Sequence, residues 1–353
     1  MRFSFGIQTT APKLIAALTA ILLLALTGCG SDSSSNDDVD EETTLTLEEA
    51  IPQCSGDPWE NFSVSSISAP SPNSQAYVVP ANAQRTAITN SLNAFFDASY
   101  ESAVSQSTDA AYDICHMEST IGPLVFWYPQ TAGEGHARWV IRASDTATPL
   151  MVQAPHSFFE SHTMQQAVEI FTDLNARAVI VNGGHRCANT GYSSCSGTTS
   201  VCGESEPFRE SDMAHVVDSF FQVVHQTIAQ AYTDVLTINL HGMSRDGFSL
   251  SNGTTNDTNA QSPVAKLYTE LINEFPNETV TICNAFDSIT ATNHLCGTTN
   301  VQGRFLNDST NACTASASIA SDRFIHIEQN LSIRESEANR DKIIKALGVM
   351  LSR

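Results

Sequence analysis

The sequence predicts an α/β protein: a mixed, largely parallel sheet flanked by helices on both faces, with disulfide-stapled loops. Three observations carry that expectation. Short apolar runs rich in β-branched and aromatic residues alternate with stretches of helical period, the pattern of strands crossed over by helices. Several of those runs stop abruptly at His, Arg or Glu, where open α/β sheets place their ligands. The chain also carries nine cysteines, which suits disulfides in an oxidising compartment.

The elements follow in chain order. Residues 1–28 read as a leader: Arg2 and Lys13 flank the apolar run Leu14–Leu26, which is too short for a comfortable bilayer span. It runs into Leu26-Thr27-Gly28-Cys29, which resembles the bacterial lipoprotein signal, cleaved before a cysteine that becomes lipidated. Gly30 rather than Asp after that cysteine implies, by the same resemblance, the outer membrane. Residues 29–50 read as a tether, because eight acids fall between Asp32 and Glu49 among serines that bury nothing. One domain then fills residues 51–353.

Within that domain, residues 51–82 are rich in Pro, Ser and Asn and are expected to wrap the surface. Ile88, Leu92, Phe95, Phe96 and Ala103 fall near helical spacing, so a first helix is expected over Thr86–Val104. Strands are expected at Leu124–Tyr128, Trp139–Ile141 and Pro149–Ala154, a helix over His162–Asn175, and a strand at Ala178–Val181. Gly183–Ser205 reads as a long functional loop. Ser211 or Asp212 is expected to cap a helix running to about Tyr232. A strand to Leu240, a helix over Pro263–Phe275, strands at Thr279–Cys283 and Phe324–Glu328, and a carboxyl-terminal helix complete the expectation.

If Cys29 carries lipid, Cys54, Cys115, Cys187, Cys195, Cys202, Cys283, Cys296 and Cys313 remain, enough for four disulfides among 105 possible pairings. Cys54 with Cys115 and Cys296 with Cys313 are the pairings favoured here. No Cys-x-x-Cys pair supports a zinc ribbon. The formal charge of −21 argues against nucleic acid or anionic lipid as partner. Neither a Gly-x-Ser-x-Gly elbow nor a phosphate-binding glycine loop is present.

The chemistry concentrates at three strand ends: Pro155-His156-Ser-Phe-Phe-Glu160, Asn239-Leu240-His241-Gly242 and Phe324-Ile-His-Ile-Glu328. Two imidazoles and one carboxylate, His156, His241 and Glu160, form the ligand set that leaves Zn2+ an open position for catalysis. His162 competes as ligand or caps the following helix. Gly242 is expected to permit the tight turn that aims His241. Glu328 interrupts an apolar strand, where a carboxylate is costly without a role, and reads as general base. His326 alternates with it and faces the same side. Arg186 follows Asn182-Gly-Gly-His185 at a further strand end. Arg186, with Arg304 and Arg334, is a candidate for holding a substrate carboxylate, since guanidinium binds it with two prongs.

In this order the motifs resemble the zinc carboxypeptidase-like amidohydrolases, of the N-formylglutamate amidohydrolase and phage poly-γ-glutamate hydrolase types, across roughly residues 120–350. The resemblance implies a phosphorylase/hydrolase-like fold with an eight-stranded mixed sheet. It also implies zinc on His156, Glu160 and His241, Glu328 as base and acid, and His185 and the arginines at the substrate. The spacing here is His-x-x-x-Glu where carboxypeptidases use His-x-x-Glu. The expected function is an exported zinc hydrolase of a small peptide or amide, cut beside a carboxylate. The other readings are a surface binding lipoprotein with a structural or vestigial metal site, and a zinc esterase on the same fold. Replacing Cys29 by Ser is expected to release the mature protein from membranes; fractionation and mass spectrometry of the mature terminus check this.

Overall fold

A computed structural model describes residues 45–256, 258–284 and 291–353. The leader, Cys29 and most of the acidic tether lie outside the described residues. The last residues of the expected tether are folded: Thr46 and Glu49 cap each other reciprocally around α1 (Leu47–Ala50), whose Leu47 is buried.

Ten strands form the main sheet. They are β1 (Tyr112–Met117), β2 (Leu124–Pro129), β3 (Arg138–Arg142), β4 (Thr148–Ala154), β5 (Ala176–Val181), β8 (Leu236–Gly242), β9 (Phe248–Ser251), β10 (Val280–Cys283), β11 (Ala291–Thr292) and β12 (Phe324–Gln329). Their spatial order is β1-β2-β3-β5-β4-β8-β12-β9-β10-β11. A small separate ribbon pairs β6 (Thr198–Thr199) with β7 (Glu206–Pro207). The four central strands β5, β4, β8 and β12 are mutually parallel, and antiparallel pairs join them to the strands on either side. The fold is therefore the mixed, mostly parallel α/β sheet expected, with ten strands in place of the eight that the resemblance implied.

Helices cover both faces because the central strands are apolar on both, as buried parallel strands must be. Leu150 and Val152 point to the layer of α4 (Thr163–Asp173), α6 (Pro263–Glu274) and α9 (Glu337–Leu351). Met151, Ala178 and Ile180 point to the other layer, with α2 (Asn82–Phe96), α3 (Tyr100–Asp109) and α5 (Phe220–Ala231). Short helices α7 (Val301–Leu306) and α8 (Leu331–Glu335) flank β12 in sequence.

Four expectations need correction. The first helix is two, because the chain turns at Ala98 with φ 56° between α2 and α3. The stretch after Ser211 is a 3₁₀ turn over Met213–His215, and α5 starts at Phe220 with Ser219 Oγ accepting from Gln222 N. Strands β1 and β9 were not expected; Asp113 and His116 break the apolar run of the first, and the second has only four residues. Cys54 does pair with Cys115, but Cys296 pairs with Cys283 and Cys313 with Cys195, leaving Cys187 with Cys202. Sequence spacing carries no record of which loop ends meet in space.

A polar bridge crosses the sheet beneath the site. Asn239 Nδ2 donates to Gln153 Oε1 at 3.0 Å, and Gln153 Nε2 donates to His225 Nδ1 at 2.9 Å. Burial pushes the His225 pKa down to about 3. The unfolded chain, with an imidazole near 6.5, binds the extra proton between those values. Stability from this residue is whole above about pH 6.5 and is lost as pH falls toward 3, at up to about 1.4 kcal/mol per unit. His225→Gln is expected to flatten that portion of the acid-unfolding curve, read from denaturant midpoints at several pH values.

Candidate active site

His156 and Glu160 sit on one helical turn after β4: Glu160 N donates to His156 O at 2.8 Å. Residues four apart on a helical turn share a face, so the His-x-x-x-Glu spacing brings the two side chains together. Glu160 Oε1 lies 2.7 Å from His156 Nδ1, and Oε2 lies 3.3 Å from His241 Nδ1. The ligand atoms of all three residues fall within 4.8 Å of one another, and all three residues are buried. His241 reaches this point from β8, and its register partner on β12 is Glu328. Side chains two apart share a face, so His326 joins Glu328; His326 Nε2 lies 3.7 Å from Glu328 Oε1, and its ring centroid is 4.4 Å from that of His241.

Asp212 holds the other side of His156, its Oδ1 accepting from Nε2 at 2.7 Å. Arg186 in turn donates to Asp212 Oδ2 from Nε at 3.1 Å and Nη2 at 2.6 Å. Its Nη1 lies 3.2 Å from His156 Nδ1 and 3.4 Å from Glu160 Oε1. Asp212 is the functional residue that sequence reasoning missed. It read as a helix cap, and no local signal distinguishes a capping aspartate from one that reaches 56 positions back to His156.

Burial would raise both carboxylates, yet Glu160 is held well below its ordinary range by His156 and His241, and Asp212 by Arg186, His215 and His156. His156 is pushed up despite burial and Arg186, because Glu160 and Asp212 flank it. Burial lowers His241, lowers His326 strongly, and takes His215 down to about 3. Glu328 moves the opposite way from Glu160: burial and the Glu160 charge raise it well above the ordinary range, against Arg186 and Arg334. The environment thus shifts the two carboxylates in opposite directions, the contrast that separates a ligand from an acid–base group.

The donor set fits a divalent cation. His156 Nδ1 and Glu160 Oε1 approach to 2.7 Å, a contact that a proton on Nδ1 or a cation held by both would bridge. Around that point Glu160 Oε2, His241 Nε2, His326 Nδ1 and Glu328 Oε2 are buried with no hydrogen-bond partner. Such atoms occur elsewhere in the chain as well, but here they converge on one point with the ligand set, as a bound ion or ligand would require. Two imidazoles and a carboxylate suit zinc, and Asp212 on the far nitrogen of His156 is the outer carboxylate that metal-binding histidines commonly have.

The site opens into a cavity of about 640 Å3 lined by His156, Glu160, Arg186, His241, His326 and Glu328 together with two loops, residues 198–201 and 293–300. Of the expected substrate contacts, only Arg186 lines it. Arg304 donates to the carbonyls of Thr298 and Cys313. Arg334 donates to the carbonyls of Gln329 and Ser161, and its guanidinium fills the space where a Cβ on Gly242 would sit. Gly242 is needed for that close approach and has no left-handed φ, which corrects the tight-turn expectation. His185 accepts from Cys187 N at 3.0 Å and faces Phe159. His162 stands at the start of α4 with φ 69° and meets Gln165, not the ligand set. Gly183 lets the chain after β5 pass under His136, whose carbonyl would lie 2.2 Å from an added Cβ, and this passage brings Arg186 to the site.

No family model and no curated protein matches the chain. Solved structures with a similar fold, at low identity, include a bacteriophage poly-γ-glutamate hydrolase (TM-score 0.32, 9% identity, 63% of this chain and 91% of that one). A succinylglutamate desuccinylase from Vibrio parahaemolyticus gives TM-score 0.36 at 10% identity, over 71% of this chain and 81% of that one. Thrombin activatable fibrinolysis inhibitor gives TM-score 0.31 at 10% identity, over 77% and 76%.

His156→Ala and His241→Ala are each expected to abolish zinc retention, while His162→Ala keeps it. Asp212→Asn is expected to weaken zinc binding about 10–100-fold, as loss of an orienting carboxylate does. Metal content and competition with a chromophoric chelator check all four.

Proposed function

We propose that this protein is a zinc-dependent hydrolase of an amide or peptide bond, carried on a lipid-anchored chain of the bacterial cell envelope. One observation carries the hydrolase reading: a His156, Glu160, His241 ligand set and an unpaired Glu328 meet at the floor of one cavity. A cation held by the first three residues would polarise a scissile carbonyl and acidify water.

The protein's own groups supply the rest. Asp212 fixes the orientation of His156, and Arg186 fixes Asp212 through two nitrogens. The remaining nitrogen of Arg186, Nη1, faces His156 and Glu160 and holds the ligand pair in place from the same side. Glu328 lines the same cavity, and burial raises its pKa, which brings the carboxyl toward the range of an acid–base group. In its ionised form Glu328 would accept a proton from the attacking water and return it to the departing nitrogen. His326, beside it on the strand, packs against His241 and limits how Glu328 can turn.

Glu328→Gln keeps size but cannot accept a proton. The variant is expected to fold and to keep its zinc, with turnover lower by about 10²–10⁴-fold. Loss of zinc with activity would make Glu328 a ligand instead, and retained activity would place the base elsewhere.

A further inference from the structure

Resting on the hydrolase reading, we infer that the site takes a substrate whose group beside the scissile bond is uncharged, bearing amide or hydroxyl functions, and discriminates against a carboxylate there. The inference comes from how every guanidinium near the cavity is used. Arg186 is the one permanent cation among the described lining residues. All three of its nitrogens are engaged, two with Asp212 and one with His156 and Glu160, so its charge is already matched by buried carboxylates. Arg304 and Arg334 are buried, outside the lining, and donate to backbone carbonyls. Arg245 is exposed and borders a separate, smaller cavity. Residues 285–290, which precede the lining strip 293–300, contain no Lys or Arg in the sequence.

The walls offer a different chemistry. Thr198, Thr199 and Ser200 face the cavity from one loop, and Thr298, Thr299 and Asn300 from the other. At their base the rings of Phe208 and His215 stack at 3.6 Å and 6°, and Thr299 O lies 3.1 Å from His215 Nδ1. A carboxylate entering beside the scissile bond would lose its hydration with no unmatched arginine or lysine among the described lining residues to replace it. It would also approach Glu160 and Glu328. A carboxamide or hydroxyl would exchange water for wall hydroxyls and amides at little loss, while its apolar stem packs on the stacked pair.

An isosteric pair of probes tests this without turnover: the monohydroxamate of succinamic acid, which ends in a carboxamide, and that of succinic acid, which ends in a carboxylate. Calorimetric titration of the zinc-loaded full chain is expected to show the carboxamide binding tighter by at least about tenfold, the ratio that about 1.4 kcal/mol gives. Ser200→Arg, at an exposed position of the wall, places a free cation there and is expected to erase or reverse that preference. Equal or tighter binding of the carboxylate by the zinc-loaded parent overturns the inference and leaves the hydrolase reading standing. Failure to retain zinc, or to bind either hydroxamate, overturns the hydrolase reading and this inference with it.

Discussion

Burying charge away from water demands compensation, and the site is organised by how that demand is met. Three carboxylates lie under the cavity, and two are matched: Glu160 by His156 and His241, Asp212 by Arg186 and His156. Glu328 has only His326 within ion-pair distance among the described residues, at 3.7 Å, and that imidazole is strongly disfavoured from charging, while Arg186 and Arg334 act on it from farther away. The unmatched carboxylate is shifted toward its neutral form and the matched ones toward their ionised forms. Under the proposed function, a single arrangement of counter-charges would separate metal ligation, orientation and proton transfer among three residues of the same chemical type.

The sheet makes that arrangement possible. Four parallel strands end on one side, so the turn after β4, the end of β5, and the last residues of β8 and β12 converge without long connections. Register then decides which side chains meet. His241 and Glu328 are partners across β8 and β12; a slip of one residue would turn Glu328 into the helical layer and Ile327 toward the ligand set. The fold positions the ligands with backbone hydrogen bonds, which is stiffer than a loop placement.

The cavity walls are built differently. The loops at 198–201 and 293–300 have little core of their own and are tied by Cys187–Cys202, Cys195–Cys313 and Cys283–Cys296. Covalent ties limit the conformations such loops can explore where apolar burial is insufficient. The proposed ligand set thus rests on hydrogen-bonded sheet, and the cavity walls on disulfide-held irregular chain.

Much was legible before any coordinates. Val, Ile and Leu runs of strand length with helical stretches between them specify buried parallel strands and crossovers, because few other arrangements hide such runs. A His or Glu that ends an apolar run is expensive unless it serves a site, so His156, His241 and Glu328 stood out individually. Asp212 did not, since its meaning lies entirely in a partner far away in sequence. Nor could sequence separate Arg186 from Arg304 and Arg334; all three look alike until the backbone shows which carbonyls or carboxylates consume their donors. Cysteine pairing was open for the same reason. Local propensity and periodicity are written in neighbouring residues, whereas pairings, counter-charges and register are long-range relations that only the packed chain decides.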